Sequence, residues 1–318
     1  MTKHWMVAAI LLLGGGLCLL GGCSDDDGSS YGIAAKGTNE MYILTLNLNC
    51  YQQANQSAKF DTIAKLIADL DVDLVAFQEC AQNKNNTIVY DAIRTGNMAL
   101  VLTNRLKANH GKDYYFHWDW AHYGFSFYEE GVAVMSRYPL TDTGSTWIST
   151  NTATSSLVSR KAVAGKTTLP DLGITVDFIS THLHWRTSYS DTEQNRQVSN
   201  VRAFATSRLA GSDLTIVCGD YNSQPTETDP VWGQGYTTMR AGGEYIDTFL
   251  AMNPLANNLP EDSAYDTVKG EYPGRIDYIF MRTNAAFEVV FSKIIFTPTL
   301  VGTVTDHYGV LTRIRKLP

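Results

Sequence analysis

Apolar positions along the chain fall into two registers. Phe60, Ile63, Ala64, Ile67 and Leu70 repeat at the helical period after Ser57, and Val198, Val201, Phe204, Ala205 and Leu209 do so after Ser190. The second stripe opens on Ser190-x-x-Glu193, the spacing of a capping box, and stops at Gly211. A third periodic stretch, Ile88 to Leu106, predicts a helix interrupted by Gly96. Most of the remaining chain consists of short apolar runs between turn residues, and these predict strands. Strands that outnumber helices and are mixed with them predict an α/β sandwich, two sheets face to face with helices outside. No repeat of solenoid period is present.

Several predicted strands end in polar groups. Thr215 to Cys218 runs into Gly219-Asp220-Tyr221-Asn222, where Asp220 and Asn222, two apart, share one face of an extended strand. ILTLNLN ends on Asn47 and Asn49, DLVAFQEC carries Glu79, VDFISTHLHW carries His182 and GRIDYIF carries Asp277. Asp306-His307 opens the run Tyr308 to Leu311. Buried strands that each deliver an acid, amide or imidazole predict an active site assembled at one edge of a sheet.

The set Asn47, Gln78-Glu79, Thr181-His182, Gly219-Asp220-x-Asn222, Ile276-Asp277-Tyr278 and Asp306-His307 resembles, in order and spacing, the endonuclease/exonuclease/phosphatase superfamily with its DNase I-like fold. The resemblance spans roughly residues 41 to 315 and includes Gly131 to Pro139, an apolar strand closing on Ser-Arg-x-Pro. It implies a four-layer α/β sandwich of two mixed β-sheets and hydrolysis of a phosphate ester by in-line attack of activated water. Glu79 would hold a divalent cation with Asn47 beside it, and Asp306 would hold the metal or serve a proton relay. Hard oxygen ligands favour Mg²⁺, Mn²⁺ or Ca²⁺. His307 oriented by Asp277, or else Asp220, would activate water, and Asn222 would bind a phosphoryl oxygen. His182 would protonate the leaving group with Glu130 as its partner, and Tyr128 would contact the phosphate. Arg160 matches a site-supporting arginine, with a surface strand charge as the alternative. His110, His117, His122 and His184 lack such a frame and are expected at the surface or in packing.

The N-terminus changes the cellular picture. Lys3 and His4 precede an apolar stretch from Trp5 to Leu20, then Leu20-Gly21-Gly22-Cys23 resembles a lipobox. The expected organisation is a signal peptide over residues 1–22, a lipidated Cys23 with a flexible tether over 23–40, and one catalytic domain over 41–318. The protein would be an exported lipoprotein anchored to a bacterial membrane through its N-terminal lipid, at the outer membrane or cell surface, and a monomer. Lys3 is the sole charge in residues 1–22, so its removal takes the formal charge from −7 to −8, which weakens a nucleic-acid substrate without excluding one. Cys50, Cys80 and Cys218 remain outside the leader; Cys50–Cys80 is a candidate bridge and Cys218 a core residue.

These features predict a metal-dependent phosphodiesterase, nuclease-like in its His182 and Glu130. The substrate is open between nucleic acid, a phospholipid head group as in sphingomyelinases, and a sugar or inositol phosphate. A catalytically inactive surface binding protein is the rival reading. The aromatic run from Tyr114 to Tyr128 is read as core packing, with base or lipid contact as its alternative.

Overall fold

The computed structural model describes residues 31–225, 231–256, 264–269 and 273–318. The leader and Cys23 lie outside the described residues. In chain order the elements are β1 (Glu40–Asn47), α1 (Gln56–Asp69), β2 (Leu74–Asn83), β3 (Ile88–Tyr90), β4 (Ile93–Arg94), α2 (Met98–His110), β5 (Tyr115–Gly124), β6 (Tyr128–Ser136) and β7 (Leu140–Trp147). There follow β8 (Lys161–Leu169), β9 (Ile174–His182), α3 (Glu193–Ser207), β10 (Leu214–Asp220), α4 (Gln234–Arg240), β11 (Tyr245–Asp247), α5 (Thr248–Met252), β12 (Asp277–Arg282), β13 (Phe287–Ile295) and β14 (Gly309–Lys316).

Two six-stranded mixed sheets form, in the orders β13-β14-β1-β2-β6-β5 and β11-β12-β10-β9-β8-β7. Each contains one parallel pair, β1 with β2 and β9 with β10, and each pair is joined by a helix, α1 and α3 respectively. Strand alternation builds the layers. Met41 and Ile43 of β1 meet Phe178 of β9 and Leu214, Ile216 and Cys218 of β10 in the core between the sheets. Tyr42, Leu44 and Leu46 point the other way, onto Phe60, Ile63 and Ile67 of α1 and Leu102 and Leu106 of α2. Val217 packs with Val198, Val201 and Ala205 of α3 on the outer face of the second sheet. The predicted sandwich with helices outside is therefore the observed one. Among the described residues no helix is long and apolar enough to cross a membrane.

Element boundaries differ from expectation at three places. The stretch from Ile88 begins as the β3–β4 hairpin, and helix starts only at Met98, because Gly96 takes φ 83° and Asn97 caps α2 by accepting from the N–H groups of Ala99 and Leu100. The capping box does not form: Thr192 is the N-cap of α3, and Glu193 instead accepts from the Thr150 N–H. That helix ends at Ser207, short of Gly211. Cys50, Cys80 and Cys218 are buried free thiols, so the Cys50–Cys80 bridge is not made.

Candidate active site

In α/β sheets ligands gather at the carboxyl ends of parallel strands, and both parallel pairs here point theirs to the same end. Asn47 ends β1, His182 ends β9, and Asp220 ends β10 directly opposite both His182 and Asp277 of β12. His307 lies just before β14. Glu79 is re-aimed by a bulge in β2 between Phe77 and Cys80, with φ 45° at Glu79 itself. A non-glycine residue in that left-handed conformation directs its carboxylate out of the strand's alternation and toward the second sheet.

Asp220 is the hub. Its Oδ2 accepts from Asn47 Nδ2 at 3.1 Å and lies 3.6 Å from His182 Nε2 and 3.7 Å from His307 Nε2. Its Oδ1 accepts from the Asn222 backbone N–H at 2.8 Å, an Asx-type turn that fixes the carboxylate. Asn47 Nδ2 also donates to Glu79 Oε1 at 2.9 Å, so one amide ties both carboxylates. Asn222 donates from its side chain to the Leu183 carbonyl at 2.9 Å and lies 3.2 Å from His182 Nε2. His307 Nδ1 pairs with Asp277 Oδ2 at 2.9 Å, while Asp277 Oδ1, fully buried, has no hydrogen-bond partner among the described residues.

The electrostatics follow from crowding acids at the floor of a cavity. Burial and the neighbouring Glu130 charge push Glu79 up to about 8, against the Asn47 hydrogen bond. Burial and the Asp277 charge push Asp220 up to about 7. Burial opposes charge on His307, yet the Asp277 charge and hydrogen bond, with Asp220 and Asp306, outweigh it and raise the ring to about 10. His182 falls well below the usual histidine range because burial and the Arg160 charge both disfavour its cation.

Glu79, His182 and Asp220 form one cluster with ligand atoms within 4.8 Å of one another, and Asp220, Asp277 and His307 form another. A divalent cation fits this donor set. A half-buried and a buried carboxylate, Glu79 and Asp220, whose ionisation is held back by burial and by the neighbouring Glu130 and Asp277 charges, with an unpartnered buried carboxylate oxygen and an amide beside them, form a hard-oxygen environment that a cation would stabilise. Asp306 joins neither cluster; its side chain is exposed and accepts from Thr305 Oγ1.

The structure separates two residues from their expected places. Glu130 does not pair with His182: its Oε1 lies 3.2 Å from His122 Nε2, and although burial opposes ionisation, the His122 hydrogen bond and the Arg160 charge hold Glu130 below the usual range. The reason is register, since β5 and β6 place His122 directly across from Glu130. Tyr128 stacks on Tyr51 with ring centroids 5.6 Å apart and does not line the site cavity. His122, expected at the surface or in packing, is buried and lines that cavity with Glu130 and Arg160. Arg160 is buried as well, its Nη1 3.0 Å from His122 Nδ1, which discards the surface-charge alternative. The hairpin was the available signal: counting outward from Ser126 pairs Gly124 with Tyr128 and then His122 with Glu130. The cavity measures about 740 Å³ and opens between Phe125, Leu157 and Trp185.

The sequence pattern of the Endonuclease/Exonuclease/phosphatase family matches residues 44–307. An endonuclease/exonuclease/phosphatase family protein from Leptotrichia buccalis C-1013-b is similar at 29% identity and TM-score 0.72, over 86% of this chain and 99% of that one. A mannosyl-6-phosphatase from Bacteroides thetaiotaomicron VPI-5482 shares the fold at 16% identity and TM-score 0.58, over 86% of this chain and 99% of that one. TDP2 of D. rerio, complexed with single strand DNA product, does so at 14% identity and TM-score 0.58, over 87% and 99%. No curated protein matches the chain.

Proposed function

Because the chain belongs to the endonuclease/exonuclease/phosphatase family, a family of phosphoesterase hydrolases, we propose that it hydrolyses a phosphate ester at the cavity floored by Asp220. The observation that carries this reading is the convergence on one buried carboxylate oxygen of Asn47, His182 and His307, within 3.1 to 3.7 Å. Glu79 and Asn47, with Asp220 adjacent, would hold a divalent cation, which supplies charge compensation for the phosphoryl and leaving oxygens. Asp220 takes a proton from the attacking water as the ester bond to phosphorus breaks, a role suited to a carboxylate raised toward neutrality, and the leaving oxygen takes its proton from solvent water in the open cavity. His307, with carboxylates facing both ring nitrogens, acts as an imidazolium that stabilises charge on a phosphoryl oxygen, and Asp277 keeps it so. Asn222 and a neutral His182 orient the phosphoryl group rather than protonate the leaving oxygen.

A preference for diesters would require Glu130 to make His182 an acid, and that pair is absent, so the proposal covers monoesters and diesters alike. The inactive-binder reading would leave the assembled acids, amides and imidazoles without a purpose. Export and anchoring through Cys23 belong to the same proposal and rest on the leader's sequence. The test is an assay of the purified protein with Mg²⁺, Mn²⁺ or Ca²⁺ against DNA, RNA, sphingomyelin, a sugar phosphate, p-nitrophenyl phosphate and bis-p-nitrophenyl phosphate. Hydrolysis of at least one, lost in chelator, is expected; no hydrolysis of any with any ion would overturn the reading.

A further inference from the structure

Three large apolar side chains stand around the mouth of the catalytic cavity and remain in solvent: Phe125 is 55% exposed, Leu157 48% and Trp185 43%. They come from three separate connections, between β5 and β6, between β7 and β8, and after β9. Single exposed apolar residues need no explanation, but three converging on one concave mouth do.

The local structure shows that this exposure is built in. Phe125 and Ser126 open the three-residue hairpin tip 125–127 with consecutive positive φ values of 49° and 69°. Asn and Gly adopt that conformation with little strain, whereas an aromatic residue strains it, so the tip holds Phe125 out at a cost. Trp185 is fixed from within the protein: the His184 ring lies 4.7 Å from it, and the Arg160 guanidinium 5.9 Å from its centroid. A tryptophan so braced presents a preset flat surface to the cavity it lines.

We infer that the alcohol part of the substrate carries a flat aromatic ring that stacks on Trp185 and is flanked by Leu157 and Phe125. This inference rests on the phosphoesterase reading and deepens it, since a phosphate placed over Asp220 leaves its esterified group at this mouth. A cavity of about 740 Å³ suits one nucleotide-sized molecule. The net charge of −7 argues against a long polyanion. The substrate is thus a compact aromatic phosphate ester. A planar group gains stacking that an equally apolar, puckered group of the same size does not.

The test compares 2-phenylethyl phosphate with 2-cyclohexylethyl phosphate, whose leaving alcohols are alike in acidity and bulk. With Mg²⁺ or Mn²⁺, kcat/KM for the phenyl ester should exceed that for the cyclohexyl ester about tenfold, the lower range of a stacking contact. In Trp185→Ala that ratio should fall to about one, in Trp185→Phe stay above about three, and in Phe125→Ala fall partway, with thermal unfolding unchanged in each. A ratio near one in the native protein, or one untouched by Trp185→Ala and Phe125→Ala, overturns the inference. A preference for adenosine 5′-phosphate over ribose 5-phosphate would identify the ring as a nucleobase; without one it is an aryl or aralkyl alcohol. Calorimetry with the matching phosphonates separates this inference from the reading beneath it. If no ester is hydrolysed, the hydrolase reading falls, while a tenfold tighter Kd for the phenyl phosphonate would still uphold the subsite and equal Kd values would overturn it.

Discussion

Asp277→Asn tests the electrostatic core of the site with little change of shape. His307 donates from Nδ1 to the fully buried Asp277 Oδ2 at 2.9 Å, and an asparagine carbonyl can accept the same hydrogen bond. What the substitution removes is charge. The rise of His307 from 6.5 to about 10 is worth on the order of 5 kcal/mol of preference for the imidazolium. Burial opposes the cation, and without the Asp277 charge only Asp220 and Asp306 remain to offset it, so the titration of the ring should fall well below its native position. The direct readout is the titration of the His307 ring resonances by NMR in chelator, assigned with His307→Gln. Stability should follow. A raised histidine contributes in full below its unfolded pKa near 6.5, and the contribution fades as pH rises through 10, so the unfolding free energy gap between native and variant should be widest near pH 6 and narrow toward pH 10. Hydrolysis at pH 8 should fall about 100-fold, the scale of removing one stabiliser of transition-state charge. A ring that titrates near 6.5 in the native protein, or still near 10 in Asp277→Asn, would refute this account.

Glu79→Gln should reduce hydrolysis at least ~100-fold while leaving the fold intact by circular dichroism, and excess Mg²⁺ should restore the native protein, but not the variant, after chelation. His182→Ala should lose activity to a similar degree on an alkyl ester and on a p-nitrophenyl ester, because a neutral phosphoryl ligand matters to both; a defect confined to the alkyl ester would return His182 to the role of acid. Gly131→Ala should destabilise the protein by at least about 1–3 kcal/mol in urea unfolding, since its new Cβ would overlap the Asp119 carbonyl oxygen of the paired strand. Cys23→Ser should shift the protein from the membrane to the soluble or unprocessed fraction, and equal membrane recovery would rule out lipidation.

Much of this protein is determined by sequence alone. The strands are legible because apolar runs of strand length must be buried, and a polar residue at the end of such a run must emerge where the sheet ends. That Asn47, His182, Asp220 and Asp277 stand at strand ends was therefore legible in the sequence, whereas their division between two facing sheets, Asn47 on one and the other three on the second, was not. The α1 stripe was legible for the same reason, as one face of it has to cover β1. Tertiary structure decided the partnerships. Glu130 faces His122 rather than His182 because strand register, fixed by a hairpin tip at Phe125 and Ser126, chooses a side chain's neighbour. Glu79 reaches the second sheet through a bulge whose left-handed backbone no local propensity favours. Which imidazole is favoured to carry charge likewise depends on placement in space, on two carboxylates around His307 and on burial with an arginine nearby at His182. Burial of apolar runs is a nearly additive, one-dimensional property of the chain; the charge state of a buried group depends on distances of 3 to 4 Å between residues far apart in sequence, and only the packed fold sets those.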